Sequence, residues 1–193
     1  MIILEDTRNQ VGKHDMKSDY FLKNGIEVRR TKLYVGDYTL PTNQSVCVDT
    51  KKDIQELIGD ICGKQHERFR NELIRAKEAG IKLIILIEDE GGYCDYKKTI
   101  YNKPVTCIDD LFRWANPRLF IWYKGKQKYP KATKGAVLAK ACKTMMAKYD
   151  VDFQFCRKAD AGRRIIELLN QDVDKNKDIQ SIECEKYGRT VRS

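Results

Sequence analysis

The chain has 193 residues, 41% of them hydrophobic and 34% charged, which suits one domain with a sizeable core and excludes wholesale disorder. Its 37 basic and 28 acidic residues give a net charge of +9, which fits either a lysine-rich solvated surface or a polyanionic partner such as nucleic acid. No run approaches the roughly 20 apolar residues of a membrane span, and the acidic start "MIILEDTRNQ" does not read as a signal peptide.

The cysteines form no recognisable metal or disulfide pattern. There are seven, an odd number without a CxxC pair, and the chain has only two histidines. A zinc site built from Cys and His is therefore not expected. We expect free thiols in a reducing compartment instead.

The chain opens with a strand and a helix. The strand is "MIILED", which ends in two acids, and the helix lies in "DMKSDYFLKNGI". Met16, Tyr20 and Phe21 recur there at helical spacing before an Asn-Gly stop.

A β-hairpin is predicted next. Residues 26–40 alternate over much of their length as one half-buried strand would, and residues 41–43 supply a turn. The second arm is "SVCVDT", residues 45–50.

Two amphipathic helices and a buried strand follow the hairpin. The run "KLIILIEDE" is the most apolar in the chain, which is typical of a strand covered on both faces of a sheet. The expected inner faces of the helices carry Ile54, Leu57, Ile58 and Ile61, and then Phe69, Leu73 and Ala76 before Gly80.

The second half contains an irregular segment and then returns to alternating elements. Residues 93–130 are aromatic and irregular, which indicates an insertion or a dimer surface; Trp114 and Trp122 belong to it. A helix, the short strand "VDFQFC" and a last helix complete a single domain of residues 1–174, with a polar tail at 175–193. Strands alternating with helices predict an α/β fold, a sheet with helices on its faces.

The hairpin places chemistry-bearing residues together. Asp49 and Lys51 are two residues apart and point to the same face of a strand, and Asp37 can lie across from them on the other arm. Two carboxylates suit a hard cation such as Mg²⁺, and a lysine beside it can orient a water or hold a phosphate. The alternative is a solvated strand edge with an ordinary surface ion pair.

The order of these segments resembles the XPF-type structure-specific endonuclease domain of the restriction-endonuclease-like superfamily. The matching segments are "ILEDTR", "GIEVRRTKLYVGDYTL", "VCVDTKKDIQELIGDI", "ERFRNEL" and "LIILIEDE", with a plausible ending in "VDFQFCRKADAGRRIIELL". The resemblance implies a central mixed sheet flanked by helices.

The resemblance also implies roles for individual residues. Asp37 and Asp49 would hold the metal, Mg²⁺ or Mn²⁺, Lys51 would lie beside the attacking water, and Asp6 would support the site. The trailing acid of the family pattern falls on Asp53 or Glu56. The residues expected to contact DNA are Arg8, Arg68 and Lys52.

The sequence departs from the family pattern at several points. Asn9 replaces a glutamate, Thr50 stands where the family has arginine, and Asp49 is one methylene shorter than the usual glutamate. These departures indicate a bacterial or phage branch, and the helix–hairpin–helix tandem that often follows such a domain is not evident.

The resulting expectation is a Mg²⁺- or Mn²⁺-dependent endonuclease for branched or structured DNA. It would act as a homodimer in the cytoplasm, near the nucleoid, in repair, recombination or replication, with or without a loading partner protein. Three alternatives remain: an inactive DNA-binding or scaffold member of the same fold, a restriction- or recombination-type nuclease for linear duplex, and a basic protein–protein adaptor.

Overall fold

The computed structural model describes residues 1–9, 15–93 and 101–171. Six strands of these residues hydrogen-bond into one central sheet, and four two-residue strands form two small ladders outside it. The ten strands are β1 (Ile2–Asp6), β2 (Glu27–Thr31), β3 (Tyr38–Leu40), β4 (Asn43–Lys51), β5 (Lys82–Glu88), β6 (Gly92–Tyr93), β7 (Tyr101–Asn102), β8 (Trp122–Tyr123), β9 (Lys126–Gln127) and β10 (Asp152–Cys156).

The central sheet is mixed. Its strand order is β10-β5-β4-β3-β1-β2. Strand β3 is antiparallel to both of its neighbours, whereas the β10–β5, β5–β4 and β1–β2 pairs are parallel. The carboxyl ends of β1, β4 and β5 therefore share one edge of the sheet, where sites of α/β proteins commonly lie.

Helices cover both faces of this sheet. None of them, within the described residues, is long and apolar enough to cross a membrane. The helices are α1 (Asp15–Lys23), α2 (Ile54–Cys62), α3 (His66–Glu78), α4 (Gly135–Tyr149) and α5 (residues 161–171). This arrangement confirms the predicted α/β fold with a mixed sheet flanked by helices.

The sheet separates two hydrophobic cores. Helices α2, α3 and α4 enclose one core, and the other lies on the side of α1 and α5. Strand β5 contributes Leu83, Ile85 and Ile87 to the first core and Ile84 and Leu86 to the second. The prediction that this strand is buried on both faces is confirmed.

The two predicted amphipathic helices are also confirmed, with all seven expected residues buried. Asp53 caps α2 by accepting a hydrogen bond from the Glu56 amide at 2.7 Å. Helix α3 ends before Gly80, whose φ of +66° is a conformation that a side chain disfavours.

The prediction of one strand over residues 26–40 is wrong. Strand β2 pairs with β1 at the edge of the sheet, and β3 pairs with β1 on its other side. The connecting residues 32–37 therefore cross the end of β1. Leu33 and Val35 of this crossing loop are buried. The alternation of apolar and polar residues therefore continues beyond the end of β2, which is why it resembled one long strand.

Other expectations meet mixed outcomes. Met16 is exposed, and its neighbour Lys17 is buried instead. Within the irregular segment, Trp114 is in the core while Trp122 is exposed. The five cysteines of the described residues are free; the tail at 175–193 lies outside the described residues.

Candidate active site

The antiparallel hairpin of β3 and β4 brings the predicted acids together. The first residue of β3, Tyr38, pairs with Val48, and Asp37 comes directly before it. The Asp37 amide donates to the Val48 carbonyl at 2.8 Å, so Asp37 is held beside Val48, the neighbour of Asp49. Asp37 and Asp49 both line one cleft.

The backbone that carries Asp37 is held from two sides. Gly36 has a φ of +72°, and a Cβ there would lie 3.2 Å from the Val48 carbonyl oxygen, so glycine suits this position. The Gly36 amide donates to Glu72 Oε1 of α3 at 3.0 Å. Sequence reasoning missed Glu72, which appeared only as one charge among many on a helix.

Thr50 orients the Asp37 carboxylate. Its amide and its hydroxyl both donate to Asp37 Oδ2, at 2.8 and 2.6 Å. The residue that departs from the family's arginine thus fixes one oxygen of the presumed metal ligand.

Asp49 and Lys51 form a buried ion pair that includes a third residue. Lys51 Nζ lies 2.7 Å from Asp49 Oδ2 and 2.9 Å from Asp60 Oδ2, and all three side chains are almost fully buried. The ammonium also lies 5.4 Å from the centre of the Phe69 ring. Asp60 was missed by the sequence analysis, although an acid on a helix packed against β4 was a usable signal.

The electrostatics of this cluster follow from burial. Burial raises the pKa of Asp49; Lys51 opposes this rise, while Asp37 and Glu72 add to it. Burial lowers the pKa of Lys51, but the charges of Asp49 and Asp60 outweigh it, so the net shift is upward and the ammonium keeps its charge.

The carboxylates fit a small divalent cation. Asp49 Oδ2 and Asp60 Oδ2 are buried without a well-directed hydrogen-bond donor, because the Lys51 contacts are ion pairs of poor hydrogen-bond geometry. The described residues contain no group of three His, Cys, Asp or Glu side chains arranged around one point. Mg²⁺ is commonly held by one or two carboxylates plus water and substrate phosphate, so the pair Asp37 and Asp49 suffices.

Asp6 lies at the end of β1, outside the residues that line the cleft. Its carboxylate is 1% exposed and accepts from the Arg8 amide at 2.6 Å, from the Arg8 guanidinium at 2.7 Å and from the Leu33 amide at 2.8 Å. Burial works to raise the pKa of Asp6, but these hydrogen bonds outweigh it and lower the pKa. Asp6 therefore ties the crossing loop to the end of β1 and does not reach into the cleft.

The trailing acids also separate into two roles. Asp53 is used as the cap of α2, whereas Glu56 accepts from the Lys52 amide at 2.8 Å and lines the cleft. Glu88, at the end of β5, is buried and paired with Lys17 of α1 at 2.5 Å. Helix α1 therefore covers the end of β5.

A cleft of about 610 Å³ collects these groups at the carboxyl ends of the strands. Asp37, Asp49 and Lys51 line it together with Glu72 and Glu88. Its basic lining residues are Arg8, Lys17, Lys51, Lys52, Arg68 and Lys158. The three residues expected to contact DNA are thus all at the cleft.

The mixed sheet and this acid-lined, basic-rimmed cleft agree with the fold and site expected of an XPF-type nuclease domain. The sequence matches the family model of the ERCC4 domain over residues 6–169. The chain therefore belongs to the ERCC4 domain family, and the resemblance to XPF-type endonuclease domains is confirmed.

The solved structures that are similar to this chain include two of the same protein. XPF from Aeropyrum pernix has a TM-score of 0.55 and 13% identity, and the match covers 97% of this chain and 72% of that one. The same archaeal protein in complex with DNA has a TM-score of 0.54 and 14% identity, with 90% and 66% covered. No curated protein sequence matches this chain.

Proposed function

We propose that this domain is a Mg²⁺- or Mn²⁺-dependent endonuclease that hydrolyses phosphodiester bonds in branched or otherwise structured DNA. The observation that carries the proposal is that Asp37, Asp49 and Lys51 line the same cleft, where Thr50 orients the Asp37 carboxylate. The solved relative bound to DNA supports the nature of the substrate.

Each residue of the cleft has a distinct task. Asp37 and Asp49 would hold the cation, which when bound would activate a water and offset charge on the phosphoryl group. Lys51 is held by ion pairs with Asp49 and Asp60 and also lines the cleft, where its ammonium would orient a water or a phosphate oxygen.

The basic residues at the rim would hold the DNA backbone. Arg68 and Lys52 are exposed, and the Arg8 side chain is 55% exposed while Asp6 fixes its guanidinium. Contacts of this kind neutralise phosphates and carry no sequence information. They suit an enzyme that responds to the shape of DNA.

The inactive scaffold remains the main alternative, since Thr50 and Asn9 depart from the family pattern. Against it, Thr50 holds the Asp37 carboxylate through two hydrogen bonds, so the departure keeps the ligand in place. A homodimer, a loading partner, a cytoplasmic location and a role in repair or recombination remain predictions.

The experiment that tests the proposal is a cleavage panel of linear duplex, nicked duplex, flap and four-way junction DNA. Each substrate is incubated with Mg²⁺, with Mn²⁺ or with a chelator. We expect metal-dependent cutting of the branched substrates, no cutting with the chelator, and none by the Asp37→Asn/Asp49→Asn variant. Asp109→Asn/Asp150→Asn, which changes two exposed carboxylates, is the charge-matched control and retains activity.

The panel also separates the alternatives. A preference for linear duplex would favour the restriction-type nuclease, and an absence of cutting on every substrate would favour the inactive scaffold. Binding of Mn²⁺ followed by electron paramagnetic resonance gives a second readout, because the double Asn variant loses the ion whether or not the protein cuts.

A further inference from the structure

The positive charge of the chain is concentrated in one segment. Residues 111–149 contain ten of the 37 basic residues and none of the 28 acidic ones, so the rest of the chain is close to neutral. Part of this segment is α4, and part is the loop that carries β8 and β9. An acid-free segment of this length attracts polyanions.

Strands β8 and β9 form an exposed hairpin with a two-residue turn. Trp122 pairs with Gln127 and Tyr123 with Lys126, and Lys124 and Gly125 have φ values of +49° and +73°, as a tight hairpin turn requires. Neighbouring strand residues point to opposite faces, so each face of the hairpin carries one aromatic ring.

Neither ring is used by the core. Trp122 is 61% exposed and Tyr123 is 63% exposed, whereas Trp114, eight residues earlier, is 8% exposed. A two-stranded hairpin alone is marginally stable, so packing of the fold does not explain two large aromatic residues at its tip. Their exposure points to a ligand.

Cations accompany the aromatic rings. Lys124 Nζ lies 5.4 Å from the centre of the Tyr123 ring, and Lys126 is directly across the hairpin from Tyr123. Farther along, Arg118 and Lys128 both lie within 6 Å of the Tyr129 ring centre. Aromatic faces for bases next to lysines for phosphates are the means by which proteins bind single-stranded nucleic acid.

The hairpin is tied to the helix that borders the cleft. Asn116 accepts from Gln55 Nε2 of α2 at 2.8 Å and donates to the Thr133 carbonyl at 2.8 Å, so it closes the base of the loop. Gln55 precedes Glu56, which lines the cleft. Trp122 is six positions after Asn116 in the chain, so their Cα atoms are at most about 20 Å apart. This is the length of about six base steps.

We propose that the β8–β9 hairpin binds unpaired bases of a single DNA strand, with Trp122 and Tyr123 stacking on bases and Lys124 and Lys126 at neighbouring phosphates. This inference rests on the proposed function and makes it more specific. The substrate of the cleft would be a DNA duplex that continues into a single strand. The hairpin is then a site for the unpaired arm of a branched substrate.

The test measures binding in the presence of a chelator, so that no cutting takes place. Fluorescence anisotropy of a labelled oligothymidylate and of a labelled duplex is followed for the intact chain and for Trp122→Ala/Tyr123→Ala. We expect the single strand to bind about tenfold or more weakly to the variant, with duplex binding changed less than threefold. The matched control, Trp122→Phe/Tyr123→Phe, keeps both rings and binds the single strand within about threefold of the intact chain.

Tryptophan emission supplies a readout specific to stacking. The chain has two tryptophans, and Trp114 is buried, so oligothymidylate should quench the emission of Trp122. The quenching should disappear in Trp122→Phe, which still binds.

Three results would overturn the proposal: unchanged single-strand binding in the Ala variant, an equal loss of duplex binding, or a change from dimer to monomer that shows the hairpin to be an interface between copies. Sedimentation of both variants detects the last. Failure of the proposed function is a separate result, since it is the absence of metal-dependent cutting by the intact chain.

Discussion

The cleft and the β8–β9 hairpin differ in how far their functional side chains are exposed to solvent. In the cleft Asp49, Lys51 and Asp60 are almost fully buried and hold one another at 2.7 and 2.9 Å. On the hairpin Trp122 and Lys124 face solvent. Side chains that stabilise a transition state must be oriented before the ligand arrives. Side chains that bind nucleic acid of any base sequence must instead adjust to the bases they meet. The fixed side chains of the cleft suit the first task, and the exposed side chains of the hairpin suit the second.

The same substitution in the two regions should give the largest contrast. Lys51→Met leaves Asp49 and Asp60 as buried carboxylates without a counter-ion, so we expect the free energy of unfolding to fall by about 3–5 kcal/mol. Lys124→Met removes an exposed charge and should change the free energy of unfolding by less than about 0.5 kcal/mol. Urea denaturation measures both; equal losses would contradict the contrast.

The Lys51 prediction has an internal check. Lys51→Met/Asp60→Asn removes one of the uncompensated charges and should recover part of the lost stability. Lys51→Ala is expected to abolish cleavage while DNA binding persists, provided that circular dichroism shows the variant folded. Full activity of a folded Lys51→Ala variant would remove the proposed role of this lysine.

Asp49→Asn separates chemistry from binding. The variant loses one carboxylate of the cation pair, and we expect cleavage to slow by about a hundredfold to a thousandfold, while the single-strand affinity stays unchanged. The Trp122→Ala/Tyr123→Ala variant should do the reverse: normal cutting of the four-way junction, which has no unpaired arm, and weak single-strand binding. Gel-based cleavage and anisotropy are the measurements, and a shared loss of both properties would contradict the division.

Asp6 provides a smaller effect with a defined pH dependence. Asp6→Asn weakens the hydrogen bonds to Arg8 and Leu33, so we expect a loss of about 1–3 kcal/mol of stability at pH 7. The pKa of Asp6 in the folded chain lies below the usual 3.8, so its contribution is complete above that pH and is lost as the pH falls through the folded-state pKa.

Thermal melts at pH 7 and pH 3 test this expectation. The difference in melting temperature between the intact chain and Asp6→Asn should shrink at pH 3. A difference that grows on acidification would contradict the assigned pKa direction.

The smallest effects concern the phosphate contacts. Arg68→Ala should weaken duplex binding modestly and reduce the slope of log affinity against log salt by about one. Lys126→Ala should do the same for single strands only. Arg29→Ala, on the edge strand away from the cleft, is the control for both. Binding titrations at several salt concentrations measure these slopes. Identical profiles for Arg68→Ala and Lys126→Ala would contradict the assignment of two separate binding surfaces.

Much of the fold was predictable from local patterns. Strand β5 and helices α2 and α3 have clear periodicities, and Asp49 and Lys51 share a face because strand side chains alternate. The crossing loop was not predictable in this way, since Leu33 and Val35 keep the alternation outside a strand.

The rest of the site depends on contacts between distant parts of the chain. Glu72 bonds Gly36, and Lys17 pairs with Glu88, 71 residues later. Such pairs are set by how α1 and α3 dock on the sheet, which one sequence does not reveal. The irregular segment stands out by its aromatic composition, but its division into a buried Trp114 and an exposed Trp122 required the structure.

The binding of the crossing loop by Asp6 affects how mutants of this domain should be interpreted. Both ends of the loop are tied to Asp6: its carboxylate accepts from the Leu33 amide, and its amide donates to the Asp37 carbonyl at 2.8 Å. We therefore expect a side-chain substitution at position 6 to slow cleavage by releasing Leu33 and so loosening the loop that leads to Asp37. A dead Asp6 mutant is consequently no proof of a third metal ligand.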